Sequence, residues 1–177
     1  FRRVLFRSEH EGSQRAKNGG GAPRLHSDLT GSETRSPRGP GESEIGHVRF
    51  DKSGRIVEHS CSGWAVDKMV RGVVTEHPSS ALADSARKLE RGEARALVPA
   101  LTANCPFAQR ILSAVADDLA FGLSHVVHLV HPQVIVLGGG LSFVGEPLRA
   151  AVAAALGQYV MEAFTPGPRV ALAVLRE

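Results

Sequence analysis

The sequence HPQVIVLGGGLS, residues 131–142, places a short apolar run between a proline and three consecutive glycines. The run at residues 134–137 contains no polar side chain, which is typical of a strand buried on both faces of a parallel sheet. The glycines that follow lack a Cβ, so the backbone there can adopt positive φ angles and approach a ligand closely. A tight turn that only packs the strand against the next helix fits the same glycines, and the triplet alone leaves both interpretations open.

Helical patterns flank this strand on both sides. Residues 106–130 are predicted to form a helix that ends before Pro132, because one set of apolar residues recurs at intervals of three or four: Leu112, Val115, Leu119, Leu123, Val126 and Val130. Pro147 suits the first turn of a second helix, and a final strand is expected at residues 170–175. Strand, glycine turn, helix and strand form a βαβ unit, which predicts an α/β fold with ligands at the carboxyl ends of its strands.

Residues 45–91 predict a short hairpin and two helices. The segments HVRF and RIV flank the turn signal Lys52-Ser53-Gly54. Ser62 is expected to cap a helix that continues to about Arg71, and a further helical stretch is expected at residues 80–91.

Residues 1–38 have a different composition. They are rich in Gly, Ser, Arg and Pro and contain eight Lys/Arg against four Asp/Glu, whereas residues 39–177 are nearly neutral. The basic excess therefore does not indicate a nucleic-acid-binding face on a folded surface. The opening FRRVLFRS is similar to a translated sequencing adapter and follows no start Met, so we expect a disordered or artefactual leader at 1–38 and a fold truncated at both ends.

The chain has two cysteines, Cys61 and Cys105, and no apolar run near twenty residues. These features favour a reduced, cytoplasmic setting and no membrane association. Neither cysteine lies in a CxxC arrangement, so each is interpreted as a small buried apolar side chain.

Carboxylates and imidazoles occur together around the predicted hairpin. Glu44 and His47 lie three positions apart, and Glu58 follows on the far side of the turn. Such groups can make paired hydrogen bonds to neighbouring sugar hydroxyls. Ordinary surface residues would give the same pattern.

Three segments taken together resemble the ROK family of sugar kinases and sugar-responsive repressors. They are GESEIGHVRF, EHSCSGWAVD and HPQVIVLGGGLS, which match in order the family's E-x-G-H motif, its Glu followed by Ser-Gly, and its P-x-x-I-x-x-GGG-x-S motif. The resemblance covers residues 39–177 and implies a partial α/β domain of the actin-like ATPase (ribonuclease H-like) fold, mostly its C-terminal lobe. It also implies a cytoplasmic, often dimeric protein that transfers a phosphoryl group from ATP, with Mg²⁺, to the 6-hydroxyl of a hexose such as glucose.

Site residues carried over by position follow from the same resemblance. Glu44, His47 and Glu58 would bind the sugar, and Gly138, Gly139 and Gly140 would contact the nucleotide. The family's catalytic Asp belongs to the N-terminal lobe and has no counterpart in this chain. We therefore expect this chain to be an inactive part of a hexose kinase.

The sequence departs from the family pattern at the loop that holds a structural zinc in many members. Many family members hold a structural zinc with a cysteine-rich loop before the sugar-binding Glu, and residues 51–57 contain no cysteine. His47, His59 and Cys61 could supply three ligands, but a tetrahedral zinc site needs a fourth, so no structural zinc is expected. His125, His128 and His131 are interpreted as residues of a helix surface and its C-terminal end, not as metal ligands.

A regulator is the alternative. Some members of this family are transcriptional repressors in which a helix-turn-helix precedes the kinase-like part, and only in that case would nucleic acid be a partner. The missing zinc loop favours the kinase by analogy.

Overall fold

The computed structural model describes residues 4–7 and 45–173. Within them, the strands and α-helices are β1 Val4–Arg7, α1 Val57–Cys61, α2 Gly63–Glu76, α3 Ala81–Ala86, α4 Leu97–Thr102, α5 Pro106–Val130, β2 Val134–Leu137, α6 Glu146–Tyr159 and β3 Arg169–Leu172. Short 3₁₀ turns occur at Ile45–His47, Glu93–Ala96, Gly140–Val144 and Glu162–Phe164.

The central strand of the sheet is β2. It pairs in parallel with β3, with Ile135 opposite Val170, and α6 makes the connection between them. This confirms the βαβ unit. Ile135 and Leu137 are fully buried, whereas their neighbours Val134 and Val136 are only partly buried. The prediction of burial on both faces is therefore correct for one face alone, because the elements packed within the described residues cover the other face incompletely.

The strand β1 lies inside the segment that we expected to be a disordered or artefactual leader. Its residues pair antiparallel with β2, with Val4 opposite Leu137 and Arg7 opposite Val134. These four residues are therefore ordered against β2 in the structure, while the prediction of a disordered or artefactual leader at 1–38 stays a prediction. The edge of β2 opposite β3 offers unpaired backbone donors and acceptors, and an extended segment of any origin can satisfy them. The rest of the predicted leader lies outside the described residues.

The helix α5 has the bounds that the sequence predicted. Pro106 lies in its first turn, and His131 ends it in the left-handed conformation with φ 48°. Its buried stripe is Ile111, Val115, Leu119, Leu123 and Val127. The predicted core face was therefore correct at Val115, Leu119 and Leu123. Leu112 packs partly buried against the core and Val126 is partly buried, whereas the prediction was wrong at Val130, which is 56% exposed. No helix within the described ranges is long and apolar enough to cross a membrane.

The region before α5 differs more from expectation. The Ser62 hydroxyl accepts a hydrogen bond from Ala65 N at 3.2 Å and caps α2 as predicted, but the helix continues to Glu76. In contrast α3 ends at Ala86, since residues 87–91 offer a single apolar side chain, Leu89, among four charged ones. Burial of an apolar face, more than local propensity, sustains helices of this length.

Candidate functional site

The predicted hairpin brings two of the candidate motifs together. Phe50 N donates to Arg55 O at 2.8 Å, and Val57 N donates to Val48 O at 3.0 Å. Arg49 and Ile56 form an antiparallel bridge between the two arms. The chain therefore reverses within a few residues, and α1 begins beside the Ile45–His47 turn.

Gly46 and Glu58 are in contact distance of each other. Gly46 is buried in the turn, and a Cβ built on it would lie 3.5 Å from the Cβ of Glu58. His47 is exposed and Glu58 is half-buried. Glu44 lies outside the described residues. Of the sugar-binding candidates, His47 and Glu58 thus lie on neighbouring elements, with the Glu58 stem against the backbone of the E-x-G-H segment.

Gly122 of α5 allows α1 and the hairpin to pack closely on this helix. Val57, the residue before Glu58, is fully buried, and a Cβ on Gly122 would come within 2.6 Å of its Cγ2 atom. Phe50 of the hairpin also packs against Phe121, with ring centroids 5.8 Å apart. The close approach of α1 to α5 therefore depends on the absence of a side chain at position 122.

The glycine triplet forms a defined loop at the end of β2. Gly138 is buried, and Gly139 has φ 83° and ψ −173°, a region that only glycine occupies readily. Ser142 fixes the loop, because its hydroxyl donates to Gly139 O at 2.7 Å and its N–H donates to the same oxygen at 3.0 Å. Gly140 is exposed, and a Cβ built on it would meet no atom within 4 Å.

A groove of about 340 Å³ opens beside Gly140. It lies where the Gly140–Val144 turn meets the start of α2 and the Glu93–Ala96 turn. Its walls include Trp64, Phe143 and Arg95. Sequence reasoning missed this groove, since it joins segments that lie far apart in the chain and no local pattern connects them. The sequence contains Trp64 and Phe143, but it does not reveal that both are exposed.

The three residues considered as partial zinc ligands do not form a metal site. Cys61 is fully buried with its Sγ 3.6 Å from Val115 O, and burial raises the pKa of its thiol to about 12. A thiolate, the form that binds zinc, is therefore strongly disfavoured. Among the described residues no group of three or more His, Cys, Asp or Glu could hold a metal ion. Absence of zinc from the protein itself stays a prediction, to be checked by elemental analysis after dialysis.

The histidines near the end of α5 make packing contacts. His128 Nε2 accepts a hydrogen bond from Met161 N at 3.2 Å, and the His131 ring stacks on Phe164 with centroids 4.7 Å apart. His125 meets Phe121 edge to face at 4.8 Å. These contacts confirm their interpretation as residues of the helix surface and C-terminal end.

Comparison with known protein families matches residues 32–177 to the ROK family. The chain belongs to the ROK family. The match begins at residue 32, within the segment expected to be a leader.

Two curated relatives are glucokinases. The glucokinase of Thermotoga maritima is 28% identical over 130 residues, which cover 69% of this chain and 41% of the relative. The glucokinase of Halalkalibacterium halodurans is 26% identical over 141 residues, covering 75% of this chain and 43% of the relative. The chain thus spans less than half the length of these relatives.

Solved ROK structures share the fold. A ROK family glucokinase from Streptomyces griseus, in complex with glucose and AMPPNP, gives a TM-score of 0.64 at 20% identity and covers 75% of this chain and 46% of its own. A ROK family transcriptional regulator, described as a homologue of the E. coli MLC protein, gives 0.62 at 17% identity, covering 77% and 35%. The ROK hexokinase of Thermus thermophilus gives 0.56 at 24%, covering 80% and 45%. The fold is accordingly part of an actin-like ATPase domain, as the sequence predicted.

Proposed function

We propose that this chain forms the sugar-binding and nucleotide-contacting part of an ATP-dependent hexose kinase of the glucokinase type. The observation that supports it best is the closeness of Gly46 to Glu58, because it places two ROK motifs on neighbouring elements. The glucokinase relatives point to the same activity.

On the sugar side, Glu44, His47 and Glu58 would bind adjacent hydroxyls of one pyranose. Ionised carboxylates accept hydrogen bonds from hydroxyls, and such charge-assisted bonds are stronger than neutral ones. Glu58 suits this role because it is half-buried, so water competes less for its oxygens.

On the nucleotide side, Gly138, Gly139 and Gly140 would approach the adenosine and phosphate groups of ATP. The open space beside Gly140 fits this role, since a ligand can come close to the backbone there. Mg²⁺ in kinases is held largely by the nucleotide phosphates and one or two carboxylates. We assign no Mg²⁺ ligand among the described residues.

By our proposal this chain is part of a longer kinase, which we call the intact parent protein. Substitution of Glu58 by Gln in that protein tests the sugar site, because it removes the charge and keeps the shape. Loss of one charged hydrogen bond worth about 1.5 to 3 kcal/mol should weaken glucose binding by one to two orders of magnitude. Isothermal titration calorimetry with glucose measures this directly. The matched control is Glu76→Gln, an exposed carboxylate at the end of α2, which should leave the affinity unchanged. Wild-type affinity in Glu58→Gln and Glu44→Gln would reject the site.

A sugar-responsive repressor is the second candidate, favoured by the regulator that shares this fold with a TM-score of 0.62. In that case the intact protein would bind a sugar and DNA, and would transfer no phosphoryl group. Sugar-dependent ATP consumption by the intact parent separates the two functions.

For the kinase we propose a cytoplasmic protein, as a homodimer, with hexose and ATP as its small-molecule partners.

A further inference from the structure

Two large aromatic side chains on the groove beside Gly140 are exposed. Trp64 is 51% exposed at the start of α2, and Phe143 is 54% exposed in the turn that follows the glycine triplet. Both line the same groove, together with Gly140. Exposed aromatic rings that share one concave surface are typical of ligand sites, because flat apolar faces gain from covering each other.

The other groups of the groove indicate the kind of ligand. Arg91 and Arg95 supply two exposed guanidinium groups. The carboxylate among the lining residues is Asp67, and its Oδ1 already accepts a hydrogen bond from Ala94 N at 2.6 Å. Aromatic faces with an excess of cations suit an anion that carries an aromatic ring. A nucleotide has both properties, whereas a neutral hexose lacks the charge.

The Phe143 ring is also held in position. The guanidinium carbon of Arg95 lies 5.4 Å from the ring centroid, within the range of a cation–π contact. Asp67 in turn fixes the turn that contains Arg95, through its bond to Ala94 N. These two contacts favour the observed arrangement of this wall of the groove.

We propose that Trp64 and Phe143 bind the nucleobase of the nucleotide by stacking, with Arg95 as the residue that positions Phe143. This inference rests on the proposed nucleotide-contacting role of Gly138–Gly140, and it adds the residues that would recognise the base. A groove of about 340 Å³ lies in the size range of small-ligand sites, about 300 to 1,000 Å³.

Trp64 is the single tryptophan of the chain, so its fluorescence reports on this groove directly. We expect ATP and adenosine to change the emission of the full 177-residue chain, and inorganic triphosphate, which has no base, to leave it unchanged. Trp64→Leu and Phe143→Leu should each weaken ATP binding about tenfold by calorimetry, as expected for loss of one stacking contact. The control is Leu129→Ala, an 83% exposed residue outside the groove.

The possible outcomes separate the two proposals. If ATP binds by calorimetry, but Trp64 emission does not respond and both aromatic variants keep wild-type affinity, the stacking role is wrong and the glycine loop can still contact the nucleotide. If the folded chain binds neither ATP nor adenosine, the nucleotide role of the loop is wrong, and the stacking role with it. Circular dichroism of each variant shows that an affinity loss is not a folding loss.

Discussion

Gly138, Gly139 and Gly140 occupy one loop but differ in backbone conformation and in surroundings. Gly139 has a positive φ of 83°, which L-residues adopt only with strain. Gly140 has no positive φ, and a Cβ there would point into open space. Backbone conformation therefore requires glycine at position 139, whereas a requirement at position 140 would come from the proposed nucleotide contact.

We predict opposite behaviour for alanine at these two positions. Gly139→Ala should lower the free energy of unfolding by about 1 to 3 kcal/mol, the usual cost of such a backbone conformation. Gly140→Ala should leave stability near wild type but weaken ATP binding, since the added methyl group would occupy the space in which the ligand approaches. Urea denaturation and calorimetry measure the two effects. Equal destabilisation by both variants would contradict this division of roles.

At the same scale, the sequence offers candidate residues within one motif more readily than residues brought together by the fold. The resemblance identified Glu58 and the three glycines because each belongs to a short local motif. Trp64 and Phe143 line one groove from segments that no motif connects. The buried positions Ile111 and Val127 were missed for a similar reason: a helical stripe is about 100° wide, and its edges depend on the packing partner.

At the scale of elements, the packing of α1 on α5 controls where Glu58 lies. Gly122 is buried in the middle of α5, and Val57 of α1 covers it. Val57 is β-branched and fully buried, so its side chain has little freedom to move away from an added methyl group.

We predict that Gly122→Ala destabilises the protein by about 1 to 3 kcal/mol, because overpacking outweighs the gain in helix propensity. The matched control is Gly72→Ala in α2, where a Cβ would meet nothing within 4 Å; it should stabilise by about 0.5 to 1 kcal/mol. Thermal and urea unfolding give both values.

A double-mutant cycle isolates the cause. In a Val57→Ala background the opposing Cγ2 atom is absent, so the penalty of Gly122→Ala should shrink or change sign. The same penalty in both backgrounds would mean that Gly122 is required for another reason. Displacement of α1 should also weaken hexose binding by the intact parent, since Glu58 follows Val57 directly.

Elements with clear terminal signals were predicted well, and elements defined by tertiary contacts were not. Pro106 and Pro132 flank α5, and Ser62 caps the start of α2, so local chemistry was sufficient at these helix ends. The strand β1 depends on the free edge of β2, which no local pattern reveals. The short α3 likewise ends where its apolar face ends, at Ala86.

At the scale of the whole molecule, the chain spans 41% and 43% of the two glucokinase relatives. It contains candidates for sugar and nucleotide contacts, and the family resemblance places the catalytic Asp in the other lobe. Phosphoryl transfer depends chiefly on positioning both substrates in line and on stabilising charge in the transition state. By that resemblance the base and the facing lobe lie outside residues 1–177, so that the proposed sugar and nucleotide contacts supply only part of these requirements.

We therefore predict that this polypeptide alone does not phosphorylate glucose or another hexose, even where it binds ATP. Binding a substrate and its transition state equally tightly does not lower the chemical barrier. Catalysis also needs groups that act in the transition state. A coupled assay of sugar-dependent ADP release, in a preparation free of host kinases, measures this, and the intact parent protein provides the positive control. Activity in the isolated chain that disappears in Glu58→Gln would contradict the prediction and place a catalytic base among residues 1–177. Activity that survives Glu58→Gln unchanged would instead indicate a contaminating kinase, because loss of a sugar contact should reduce kcat/KM for any reaction at this site.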